Sequence, residues 1–136
     1  MSKWPKDLNT VQVRIARPTN NLKDLIRFYV DGLGLEVIDS FEDHDGYSGV
    51  MVGLPDESYH LEFTEFREPV LCSPPSKDNL LVFYMPNLKE VLAKVEHMRV
   101  LGFECTEPEN PYWTDKGYTL EDPDGWRVVL MNTKGI

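Results

Sequence analysis

The chain has 136 residues, with 23 Asp and Glu against 14 Lys and Arg, and a formal charge of −9 at pH 7. Hydrophobic residues make up 41% and charged residues 27%, which excludes a disordered chain and fits one globular domain; the acidic balance, with no Lys/Arg cluster, speaks against nucleic acid as a partner. No apolar run approaches the roughly 18–20 residues that span a bilayer, and MSKWPKD lacks the apolar stretch of a secretory leader, so a cytoplasmic protein without a membrane partner is expected.

Residues 11–17, VQVRIAR, alternate Val11, Val13 and Ile15 with Gln12, Arg14 and Ala16, the period of a half-buried strand. After RPTNN, where Asn20 or Asn21 can cap, Leu22, Leu25, Ile26, Tyr29 and Leu33 recur at helical spacing until Gly32 and Gly34 interrupt it. Three strand-like runs follow at 35–41, 47–53 and 59–66, separated by the turn formers DHDG and LPDES. Residues 67–78, REPVLCSPPSKD, hold three prolines and no periodicity, as a surface connector does.

A second series then begins. NLLVFYM at 79–85 reads as a strand, and Asn87 with Glu90 forms an N-cap and capping-box pattern ahead of Leu88, Val91, Leu92, Val95 and Met98. The helix is expected to end near Gly102, with strands following at 103–107, 117–121 and 126–131, the last two joined by DPDG. Both halves therefore read β-α-β-β-β. LGLEV at 33–37 is matched by LGFEC at 101–105, an offset of 68 residues, half the chain. Cys72 and Cys105 form no C-x-x-C pattern, so neither a disulfide framework nor a zinc knuckle is indicated, and buried or idle thiols are expected.

The duplicated unit, the FY of the first helix before LGLEV, the second helix before LGF, and EDPDGW ahead of a closing apolar strand together resemble the vicinal oxygen chelate superfamily, which includes glyoxalase I, bleomycin and fosfomycin resistance proteins and extradiol dioxygenases. The resemblance implies an α+β fold of two tandem βαβββ modules whose curled antiparallel sheets form a cup. It also implies one domain over 10–132, with module one at 10–66, the connector at 67–78 and module two at 79–132, and commonly a homodimer. The metalloenzymes of the superfamily carry four ligands in the cup. Carried over by position, these fall on Gln12 and Glu62, which can bind a metal through oxygen, and on Leu80 and Val129, which cannot. Either no metal or a weakly bound divalent one is expected. His60, two residues from Glu62 on the same strand face, offers one further donor.

Alternation assigns the two cup walls. Gln12, Arg14, His60, Glu62 and Thr64 form a polar wall; Leu80, Val82, Tyr84, Val129 and Met131 form an apolar one, with Arg127 as its exception. Such a pairing suits an amphipathic small molecule, and the candidate contacts are Arg14, His60, Tyr84, Tyr112, Trp113 and Arg127. Two readings stay open for Arg14, ligand contact or ion pair with Glu62, and two for Tyr112 and Trp113, stacking platform or cover for an edge. EDHDG at 42–46 lacks the flanking ligands of a calcium loop and reads as a solvated turn. No G-x-S-x-G, phosphate loop or H-E-x-x-H occurs. Three functions remain: a small-molecule binder of the bleomycin-resistance type; a metal-dependent lyase, isomerase or transferase of the glyoxalase type with Glu62 as ligand or general base; or an interaction protein that uses its sheet or dimer surface as a partner interface.

Overall fold

The computed structural model describes residues 6–54, 56–73 and 75–136. Its elements follow the sequence order β1 (Val13–Pro18), α1 (Leu22–Ile26) continued as a π-helical turn (Arg27–Gly32), β2 (Glu36–His44), β3 (Tyr47–Gly53) and β4 (Tyr59–Phe66). After the connector come β5 (Leu80–Tyr84), α2 (Leu88–Val100), β6 (Cys105–Thr106), a 3-10 turn (Pro111–Trp113), β7 (Gly117–Glu121) and β8 (Arg127–Met131). No helix among the described residues is long and apolar enough to cross a membrane.

The strands form two four-stranded sheets, ordered β1-β4-β3-β2 and β5-β8-β7-β6. Each sheet is mixed, which corrects the expectation of purely antiparallel ones. β2, β3 and β4 make an antiparallel meander, but β4 then closes beside β1 in parallel, and β8 closes beside β5 in the same way. The helix between β1 and β2 supplies the crossover that a parallel pair requires.

The chain divides into two compact units. The first comprises the chain up to Leu22 and Leu35–Val70 and holds the sheet β1-β4-β3-β2. Its apolar face is built by Val50, Val52, Leu61 and Phe63, all buried and in register across β3 and β4, with Val50 opposite Phe63 and Val52 opposite Leu61. Each such side chain contributes roughly 1.5–3 kcal/mol on burial. The opposite face of β1 and β4 is left to Arg14, His60 and Glu62.

The second unit comprises Leu71–Ile136 together with Lys23–Gly34, so the first helix groups with the second sheet. Leu120, Val128 and Leu130 are buried on one face of that sheet, and the unit's other buried apolar groups include Leu25, Phe28, Val91 and Met98. The two helical segments meet closely: Lys94 Nζ donates to the Gly32 carbonyl at 3.2 Å, and His97 Nε2 lies 2.8 Å from the Asp31 carbonyl. Basic side chains of α2 thus satisfy the end of the π-helical turn. That turn is the unexpected part of the first helix, with Leu33 N–H reaching back five residues to the Phe28 carbonyl. Thr19 Oγ1 accepts from Asn21 N–H and Glu65 Oε2 accepts from Leu22 N–H, while the Asn20 side chain bonds both backbone groups of Val70. Asn87 caps α2 as expected, its Oδ1 accepting from Glu90 N–H at 3.2 Å.

Candidate functional site

Arg14 on β1 stands opposite His60 on β4, and Glu62 follows His60 by two residues, so the three side chains share one sheet face. The Arg14 guanidinium spans both neighbours. Its Nε donates to His60 Nε2 at 2.9 Å and its Nη1 to Glu62 Oε2 at 3.3 Å. His60 is only 5% exposed and Glu62 9%, whereas the Arg14 side chain is 46% exposed, so two buried acceptors are bridged by a cation that reaches solvent. Because Nε2 accepts, the ring proton of His60 belongs on Nδ1, which is buried without a hydrogen-bond partner among the described residues. A lone carboxylate at this depth would be costly; the guanidinium beside it offsets that cost. Of the two readings left open for Arg14, the ion pair is therefore present, and it takes in His60 as well.

Gln12 does not join this group. It precedes β1, is exposed, and its Nε2 lies 3.5 Å from the Glu57 carbonyl. The remaining positions lie in the second unit. Leu80 pairs with Arg127, Val82 with Val129 and Tyr84 with Met131, so these six share one face of the parallel β5-β8 pair. Val129 is fully buried and Tyr84 is half-exposed, with Gly135 against its ring. Arg127 is 4% exposed; its Nη1 donates to the Glu107 carbonyl at 2.8 Å and its Nη2 lies 3.6 Å from Glu121 Oε2. The first contact ties β8 to the loop before the 3-10 turn and the second ties it to β7. On that turn Tyr112 is 68% exposed and meets Trp113 edge to face, with ring centroids 4.9 Å apart. Asn110 caps it by accepting from Tyr112 N–H at 3.0 Å.

The donor chemistry tests whether a divalent metal fits. Leu80 and Val129 have no ligand atom, and Gln12 is engaged elsewhere. The lone pairs that His60 Nε2 and Glu62 Oε2 would give a metal at roughly 2.0–2.2 Å are given to Arg14 instead. Among the described residues no group of three or more His, Cys, Asp and Glu side chains could hold a metal ion. The residues present do not fit the four-ligand site of the metalloenzymes.

One buried pair was missed at the sequence level. Tyr29 donates its hydroxyl proton to Asp122 Oδ2 at 2.7 Å, while Asp122 Oδ1 accepts from Asp124 and Trp126 N–H. The FY and DPDG motifs thus meet in a structural lock. A buried Tyr and a turn Asp in the two motifs that carried the resemblance were the available signal. Of EDHDG, residues 42–44 extend β2 and only 45–46 make the turn into β3; its charged side chains are exposed, with His44 Nε2 3.7 Å from Asp45 Oδ2. Neither Cys72 nor Cys105 is in a disulfide; Cys105 is exposed at residue level, yet partial burial of its sulfur, and secondarily Glu104, hold its thiol above the ordinary cysteine range.

Comparison with known proteins places this geometry. Family models described as the YycE-like N-terminal domain and the YycE-like C-terminal domain match residues 13–64 and 78–132. The chain is 49% identical over 136 residues to the YycE protein of Bacillus subtilis strain 168, covering 100% of this chain and 98% of that one. A crystal structure of a YycE protein from Bacillus subtilis aligns with a TM-score of 0.93 at 49% identity, covering 98% of each chain. Glyoxalase I of Leishmania major aligns at 0.67 with 20% identity, covering 88% of this chain and 84% of that one. TnmS3, an antibiotic-binding protein from Streptomyces sp. CB03234, aligns at 0.61 with 19% identity, covering 89% and 93%. The last two likenesses show the fold alone.

Proposed function

The chain belongs to the YycE-like family, within the vicinal oxygen chelate superfamily, and from that premise we propose that it binds a small organic molecule without drawing on a metal ion. The observation that carries this reading is the Arg14–His60–Glu62 cluster: a hydrogen-bonded cation and two buried acceptors on one sheet face, of which Glu62 falls at a ligand position of the metalloenzymes. Arg14 Nη2 makes no hydrogen bond among the described residues and is free to take an acceptor oxygen of the ligand. Met51, which pairs with Glu62 on β3, adds apolar area beside the polar group, and the combination suits an amphipathic molecule. The fold is shared with TnmS3, whose own description is antibiotic binding, so a binder on this scaffold has precedent.

The chain is further proposed to act as a cytoplasmic homodimer. Two cysteines outside any disulfide suit a reducing compartment. The edge strand β1 exposes Ile15, and the adjacent Tyr59 is equally exposed, which gives a second copy apolar area to cover.

The test is native mass spectrometry of the untagged protein, followed by a thermal-shift screen of amphipathic compounds against the wild type and Arg14→Met. A ligand that raises the melting temperature of the wild type and loses most of that shift in Arg14→Met supports the reading. Hits that bind both proteins equally would sink it. A requirement for a bound divalent ion would favour the glyoxalase-type lyase instead.

A further inference from the structure

The guanidinium of Arg14 is the cation that both buried acceptors face, with Nε 2.9 Å from His60 Nε2 and Nη1 3.3 Å from Glu62 Oε2. His60 and Glu62 are two residues apart on β4 and point to one face, as paired strand ligands must. Their inward lone pairs converge on one cation, which is a side chain of the neighbouring strand rather than an ion. The register makes this possible: Arg14 lies opposite His60, and Ala16, opposite Glu62, leaves room on β1 beside the carboxylate. An arginine is charged at every accessible pH, so this cation is permanent and cannot be lost to dilution or chelators. A divalent ion approaching the same two atoms would meet the guanidinium within about 3–4 Å, and the mutual repulsion at that range opposes binding.

We propose that Arg14 is the resident cation of this site, a covalently tethered replacement for the divalent metal, and that it is what keeps His60 and Glu62 from binding one. This rests on the reading of that face as the site, and it deepens it by saying what neutralises the buried Glu62. The consequence is a latent metal site that one substitution uncovers. In Arg14→Ala the Nε2 of His60 and the carboxylate of Glu62 are released together, leaving a buried unpaired charge that a metal can compensate. Arg14→Met releases the same atoms while keeping much of the side-chain volume.

The experiment titrates Co(II) and Zn(II) into the wild type, Arg14→Ala, Arg14→Met and the double variant Arg14→Met/Glu62→Gln, reading heat of binding, the Co(II) absorption bands and the melting temperature. Circular dichroism first establishes that each variant is folded. The expected result is no saturable binding by the wild type, saturable one-to-one binding by either single Arg14 variant with at least tenfold higher affinity, a metal-dependent rise in its melting temperature, and loss of all three in the double variant. Folded Arg14 variants that bind no more tightly than the wild type would overturn the proposal, as would stoichiometric binding by the wild type itself. Should Arg14→Ala fold only when metal is supplied, that dependence supports it. No organic ligand enters these titrations, so their failure is separable from failure of the small-molecule reading.

Discussion

Deleting the Tyr29 hydroxyl would leave the buried Asp122 carboxylate short of one donor at Oδ2 while its Oδ1 still holds the turn. A hydrogen bond to a charged group of this kind is worth about 1.5–3 kcal/mol, and Tyr29→Phe is expected to lower unfolding stability by that order in a urea titration. A loss under about 0.5 kcal/mol would show that the bond is not a lock. Cys105 supplies a second residue-level expectation. With burial and Glu104 both disfavouring its thiolate, its alkylation rate should rise only at higher pH than that of a free cysteine peptide. A rate profile coincident with the peptide would contradict the assignment. At this scale the sequence made the Arg14–Glu62 pair legible, because alternation puts both on one face. It did not reveal the His60 contact, which depends on the register between β1 and β4, nor the loss of Gln12, which precedes β1 and reaches toward Glu57.

Among the elements, α2 was the clearest from sequence, with its cap at Asn87 and its apolar spacing. Substituting that cap by Asn87→Ala should cost about 1 kcal/mol in chemical denaturation. Near the C-terminal end of α2, Arg99 donates two hydrogen bonds to Glu96, holding that carboxyl below its usual range. A depressed carboxylate stabilises the fold above its unfolded pKa and loses that contribution as pH falls through the folded one. The melting-temperature advantage of the wild type over Glu96→Gln should therefore be small at neutral pH, shrink with added salt, and vanish in acid. An advantage that persists in acid would assign it to something other than the ion pair. Gly117 constrains β7 differently: a Cβ there would collide with the Trp113 backbone carbonyl, so Gly117→Ala forces the 3-10 turn away from the strand. β3, β4 and β7 kept their expected limits because turn formers bound them. The strand at 103–107 shrank to Cys105–Thr106, and the first helix turned π-helical at Arg27–Gly32, where contacts from α2 outweigh local spacing.

For the whole molecule, the internal repeat announced two similar sheets, and two sheets of the same strand order are present. Periodicity could not reveal that each closes with a parallel pair, since alternation is the same in either direction. Nor could it place Lys23–Gly34 with the second unit, because helix docking is a long-range choice. The proposed homodimer predicts a light-scattering mass near twice 15.7 kDa, and a monomer's mass would remove that part of the reading. The most direct test of a site whose cation is a side chain is elemental analysis of the wild-type protein. The untagged protein would be equilibrated with Ni, Co, Mn, Zn and Fe(II), desalted, and measured by inductively coupled plasma mass spectrometry. No metal is expected to be retained in stoichiometric amount. Close to one metal per chain would contradict it and return Glu62 to the role of ligand.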